Sequence, residues 1–497
     1  MIKHSSSKYE LDGEIGLEDG PDLSQYAIQL AKERNSRTLT LRIKRPTIAA
    51  VFSKTPPNRR SLVQETSPSL APESVIRSLS NGNPEEIKVT LSALSTALES
   101  SPATVASITR SSDVAEAFCN SISSDLPQDV LVSVLGMIST LYPLSGEVQD
   151  AYIDNGLPFS LLNFLITGLD ELSANQDKSI PIIGASLQII SVIASNHFYG
   201  RDSLLCNGLI EPLIQIATHP DFMEQACSCI CAIFENPAPL ESESIMEVIP
   251  QIANLLTLSS KSAVEQILLA YVFMTNKYTA VVSNLYDIEL PAFVIPLLDD
   301  PDLVAVALKV VGNLSVAQPP QIRIMLELDL LNKLRSLLNS QPIYIPDVFW
   351  IFSNLIEANS SAILPIIDEA FLRNVLGSAT NGDIETKKEA SFFLSTVILF
   401  SNPESYGLFI TADIVDLLVE MLACGVGMII FRCIDTILAF VRYMNLNPDS
   451  ISQGVAIILD TDIMDRLDEL SKNEDPIMAE RAAYLTTKLN QLSENKE

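Results

Sequence analysis

A phrase that returns about every 42 residues constrains this chain more than any other feature. It reads Asp154-Asn-Gly-Leu-Pro-Phe-Ser-Leu-Leu, then Cys206-Asn-Gly-Leu-Ile-Glu-Pro-Leu-Ile, then Asp287-Ile-Glu-Leu-Pro-Ala-Phe-Val-Ile. Leu328-Asp-Leu-Leu-Asn-Lys-Leu and Ala412-Asp-Ile-Val-Asp-Leu-Leu follow the same pattern. In each, a helix stops at an Asn, Gly or acidic turn and a second, apolar helix begins. That helix ends at a break such as Thr218-His-Pro-Asp or Leu298-Asp-Asp-Pro-Asp, and a third, longer helix follows. The pattern predicts ten third helices, starting near residues 86, 130, 183, 223, 265, 304, 346, 387, 430 and 476. The one long step, from 130 to 183, points to an insertion over Gly168–Lys178, expected as a surface loop. A three-helix unit of this size cannot bury its own apolar face, so the units must stack. The expected fold is all-α: a right-handed superhelical solenoid over residues 76–490, its concave face lined by third helices.

Composition agrees. Apolar residues make up 47% of the 497 positions, while 18 glycines and 6% aromatics argue against a β-rich fold. The chain carries −29 overall, unevenly placed. Residues 32–60 hold nine basic side chains, among them Arg37, Arg42, Lys44, Arg45, Lys54, Arg59 and Arg60, against the single acid Glu33. Residues 61–497 hold 21 basic and 54 acidic side chains, a net −33. An acidic body with a basic arm suits basic protein partners and would repel the phosphates of nucleic acid. Residues 1–75, rich in Ser, Pro and charge, read as a largely disordered arm, and 491–497 as a disordered tail. Met1-Ile-Lys-His-Ser-Ser-Ser has no apolar signal region, and no apolar run spans a bilayer, so no membrane is expected. Seven cysteines without a framework spacing point to a reducing compartment.

The only tryptophan lies in Asp347-Val-Phe-Trp-Ile-Phe-Ser-Asn354. Positions i and i+4 share a helix face, so Trp350 and Asn354 set a flat apolar surface beside an amide. Such a pair can flank a side chain and hold the backbone of an extended peptide. The register recurs one period earlier as Lys309/Asn313 and one period later as Phe392/Thr396, with Asp347 and Glu389 one turn before Trp350 and Phe392. A lone Trp with an i+4 Asn ordinarily reflects packing and a satisfied amide; the in-register partners favour a binding role. No nucleophile–base pair, cofactor fingerprint or metal-ligand spacing is visible. Cys227, Cys229 and Cys231 diverge around a helix and read as core or small surface fillers, and Gly425-Val-Gly427 reads as a helix break.

The period and three-helix phrasing resemble armadillo repeats over roughly 76–490, most strongly over 300–400. The Glu-Ala-x-Trp-x-x-Ser-Asn register and the basic arm resemble importin-α, the nuclear-import adaptors. Lys387-Lys-Glu-Ala-Ser-Phe-Phe-Leu-Ser-Thr396 is similar to that family's eighth repeat, with Phe392 and Thr396 where Trp and Asn are usual. Leu308-Lys-Val-Val-Gly-Asn313 resembles the sixth, and Glu224-Gln-Ala-Cys-Ser228 is similar to the family's Glu-Gln-Ala-Val-Trp. Ile463-Met-Asp-Arg-Leu-Asp-Glu-Leu resembles the tenth. Residues 32–60 look like the arm that binds importin-β, though less dense in Arg and Lys.

The resemblance implies a nuclear localisation signal, rich in Lys and Arg, lying in the groove as cargo. It further implies an importin-β-like carrier on the arm, a monomer that its own arm can inhibit, and residence in cytoplasm and nucleus. It implies no catalysis and no cofactor. Carried over residue by residue, it makes Asn313, Trp350, Asn354, Glu389, Phe392 and Thr396 the minor signal site. The major-site positions read Gly136/Thr140, Gln188/Val192 and Ser228/Ala232, with Glu224 beside them, and keep no Trp/Asn pair. The alternative reading is an armadillo scaffold whose groove is no longer specific for basic signals.

Overall fold

The computed structural model describes residues 70–122, 125–174, 179–240, 242–278 and 280–494. The basic segment 32–60 and residues 495–497 lie outside them. The described residues are helical throughout, with no strand among them, and no single helix is long and apolar enough to cross a membrane. They fall into two compact units, 70–293 and 294–494.

The ten third helices are all present, each starting within four residues of its expected position. In the first unit they are α1 (Pro84–Ser100), α2 (Gln128–Leu141), α3 (Ile180–Asn196), α4 (Met223–Glu235) and α5 (Lys261–Lys277). In the second they are α6 (Val304–Leu314), α7 (Ile345–Ile363), α8 (Ile384–Phe400), α9 (Gly427–Leu446) and α10 (Pro476–Glu494). Local chemistry sets the starts. Pro84 opens α1, where its missing N–H is not needed, and Asn83 accepts from the Glu85 N–H at 3.1 Å. Asp383 accepts from the Thr386 N–H at 2.8 Å to start α8. Gly425 takes φ +72° just before α9 begins, the helix break read from the sequence. At the far end α10 runs to Glu494 with Leu489 and Leu492 buried, past the expected end at 490.

The recurring turn has one backbone requirement. Gly156, Gly208, Glu289 and Asp329 occupy the same place between first and second helices, and all have positive φ, from 57° to 86°. Glycine meets it freely; Glu289 meets it against the clash of its Cβ with the following carbonyl. The expected loop at 168–178 is corrected: the second helix there runs from Leu157 to Ser173. Gly168 is inside it because Ile183 of α3 approaches so closely that a Cβ would meet Ile183 Cγ1 at 2.6 Å.

Stacking in the first unit is recorded by bonds one period long. Asn155 Nδ2 donates to Ser112 Oγ at 3.2 Å, Cys229 Sγ to the Leu187 carbonyl at 3.1 Å, and Asn236 Nδ2 to the Ala194 carbonyl at 2.8 Å. Cys227, Cys229 and Cys231 are buried in this packing, and burial pushes the Cys227 thiol up to about 12.

The turn requirement predicts opposite outcomes for two substitutions. Gly208→Ala should lower the urea midpoint by an amount equivalent to ~1 kcal/mol, the strain of a side chain at left-handed φ. Glu289→Gly should leave the midpoint unchanged or raise it by up to ~1 kcal/mol, relief of strain being partly offset by the entropy of a new glycine. Denaturation followed by circular dichroism reads both.

Candidate functional site

In the second unit, α6, α7 and α8 bring Asn313, Trp350, Asn354, Glu389, Phe392 and Thr396 together, and all six are buried. Trp350 is 2% exposed. Its six-membered ring stands on Gly312 of α6, where a Cβ would come within 2.0 Å of Cζ3. Asn354, 7% exposed, donates from Nδ2 to Ser315 Oγ at 2.9 Å, and Ser315 in turn donates to the Gly312 carbonyl at 2.6 Å. Thr396 donates to the Phe392 carbonyl of its own helix at 2.9 Å. The pair expected to set a flat apolar surface beside an amide is thus buried against α6. The indole fills the gap a glycine leaves one repeat earlier, and one N–H of the amide is held by a serine 39 residues away.

Several charges in this unit are met from within it. Lys309, 3% exposed, donates from Nζ to Asp347 Oδ1 at 3.2 Å, joining α6 to the first turn of α7. Arg432 on α9, 6% exposed, holds its guanidinium 5.2 Å from the centre of the Phe392 ring and forms an ion pair with Glu357 of α7. One repeat on, Arg481 of α10 lies 5.2 Å from the Phe431 ring centre and 2.6 Å from Asp435 Oδ1, both on α9. Sequence reasoning missed these pairs. The signal was a charge inside an apolar run: Arg432 interrupts Met428–Ile434, and a charge buried there demands a partner.

The first unit differs. Gly136, Thr140, Gln188, Val192 and Ser228 are half-buried, only Ala232 being enclosed, and Glu224 is exposed. They lie on α2, α3 and α4, which pack in order. Thr140 donates to the Gly136 carbonyl at 2.9 Å, Glu224 accepts from Ser260 Oγ at 2.8 Å, and the Gln225 amide lies over Gly184 of α3. At the ends of these helices, two cations hold the loop after α4. Arg201 donates to the carbonyls of Ala238 (2.7 Å) and Pro239 (3.1 Å), and Lys277 to those of Phe234 (2.6 Å) and Asn236. Burial, then the charge of Arg201, holds the Lys277 amine down at about 8, against the pull of Glu235.

No protein-family profile matches the chain, and no curated protein matches it. Solved structures do. An engineered protein superimposes with a TM-score of 0.65 at 16% identity, over 84% of this chain and 98% of its own. A structure concerned with the interaction between cadherin and β-catenin gives 0.61 at 12% identity, over 84% of this chain and 85% of its own. A designed armadillo repeat protein aligns over 49% of this chain at 18% identity with a TM-score of 0.41. The fold of this chain is that of the armadillo-repeat solenoids.

Two measurements check the geometry. Gly312→Ala should cost ~1–3 kcal/mol by overpacking and red-shift the emission of Trp350, the chain's single tryptophan. Unchanged emission would show that the indole does not stand on Gly312. Lys277 gives a pH dependence. The folded amine titrates near 8 and the unfolded one near 10.5, so between them the unfolded chain binds more protons and stability rises with pH. The urea midpoint should climb from pH ~8 to ~10 more steeply in wild type than in Lys277→Met.

Proposed function

We propose that this protein is an armadillo-repeat adaptor that holds an extended segment of a partner protein against its third helices, without chemistry of its own. The observation that carries this reading is one half-buried polar side chain on each of α2, α3 and α4, Thr140, Gln188 and Ser228, reachable by a ligand and edged by exposed Glu224. That a similar structure concerns a complex of cadherin with β-catenin is in keeping with a protein partner.

The finer form is a nuclear-import adaptor. Its cargo would be a lysine- and arginine-rich localisation signal, and an importin-β-like carrier would take the segment 32–60. The net charge of −29, the basic segment and the importin-α-like registers support it. The scaffold alternative draws on a different observation: the minor-site-like residues Trp350, Asn354, Phe392 and Thr396 are buried, and their surroundings already contain paired cations.

Anisotropy of a labelled lysine-rich signal peptide and of a neutral peptide of equal length, each titrated with the full chain, separates the readings. The import form expects the lysine-rich peptide alone to bind, more weakly as salt rises. Glu224→Gln should weaken it ~2–5-fold, the range of an exposed ion pair, and Gln188→Ala ~2–10-fold, that of one hydrogen bond. Equal binding of both peptides selects the scaffold. Binding of neither, nor of any peptide from a random library, would end the adaptor reading.

A further inference from the structure

A basic side chain needs two things from a third-helix face: an aromatic ring within about 6 Å for its cation, and a carboxylate. Around Phe392 both are present. The ring belongs to α8 and the carboxylate, Glu357, to α7. Both are engaged by one side chain of the same protein, Arg432, which reaches them from α9. The guanidinium thus joins three successive third helices, and Glu357 is 75 residues from it in sequence.

We propose that Arg432 is a built-in occupant of the position where Phe392 and Glu357 would receive a basic residue of a partner, and so sets the specificity of α7–α9 against lysine- and arginine-rich segments. It is a specificity-determining residue that acts by filling a site. Three observations support an occupant over a chance ion pair. Arg432 is buried, so salt screens its pairing with Glu357 much less than it screens a surface pair. Its contacts are with an aromatic face and a carboxylate on two different helices, the set a free basic side chain would use. A related contact occurs one repeat on, within a single helix pair: Arg481 covers Phe431 and pairs with Asp435, both on α9. The inference deepens the adaptor reading by saying which chemistry this unit turns away, and it rests on that reading only for the statement about partners.

The test replaces the occupant. Arg432→Ala opens the position; Arg432→Gln keeps most of the length and removes the charge. Against a labelled arginine-rich peptide, either variant should gain a binding event absent from wild type, or bind at least about tenfold more tightly. Adding Glu357→Gln should abolish the gain. Separately, millimolar methylguanidinium should raise the melting temperature of Arg432→Ala and leave that of wild type unchanged. A folded variant that gains no affinity, or a gain that survives Glu357→Gln, overturns the proposal. So does failure of both variants to fold in the presence of methylguanidinium, because a ligand-like occupant is replaceable by a free ligand. These outcomes are independent of the adaptor reading: wild type binding through α2–α4 leaves the variant comparison intact, and the methylguanidinium shift needs no partner.

Discussion

Trp350 cannot stand where it does unless residue 312 has no side chain. That dependence of one third helix on the helix one repeat earlier organises the second unit. A third helix packed this closely presents little of its own register to solvent: every residue of α6 is buried, Lys309 and Asn313 included. Polar groups drawn into such packing must be bonded to something, since an unpaired buried amide or ammonium costs several kcal/mol. The partners are supplied one repeat away: Ser315 for Asn354, Asp347 for Lys309, Asp435 for Arg481. Removing one member of such an ion pair leaves the other buried and uncompensated, a strongly destabilising change.

The same physics separates the two units as possible binding faces. A side chain already bonded in the core offers a ligand nothing unless the core opens. Side chains that are half-exposed, like Gln188 and Ser228, can exchange water for a ligand at small cost. Identity at a register position and availability at that position are different properties. At these register positions the second unit carries Trp350 and Asn354 and encloses them; the first carries Gly136, Gln188 and Ser228, which remain half-exposed.

The fold was legible because its signals are local. The ten third helices follow from the 3.6-residue apolar period and from prolines, asparagines and acids at their starts, all within a dozen residues. The left-handed turn was half legible: glycine announces it at 156 and 208, while Glu289 and Asp329 carry the same conformation without the signal. The long step from 130 to 183 points to extra residues but not to their conformation; the second helix takes up those as far as Ser173, and Gly168 within it is a contact glycine for Ile183, which only the neighbouring helix reveals. The binding face was the least legible part. The i, i+4 rule places Trp350 and Asn354 on one side of a helix, and it does so correctly. What covers that side is decided by Gly312 and Ser315, about 40 positions away, where no local pattern reaches.

Net charge misleads in the same way. A body at −33 over residues 61–497 suggests a surface that draws in cations everywhere. At long range it does, and steering of a basic partner follows from the summed field. At contact range the sum is irrelevant, because each acid acts over a few ångströms and its nearest cation decides what it can still attract. Asp347 and Glu357 have theirs in Lys309 and Arg432, and Asp435 has its own in Arg481. Glu224 accepts from the hydroxyl of Ser260, a neutral donor that leaves the carboxylate's charge in place. Long-range attraction and short-range exclusion therefore act in one chain. A basic segment drawn in by the whole would be retained only where an acid is still uncompensated, and on the third helices Glu224 meets that condition where Asp347, Glu357 and Asp435 do not.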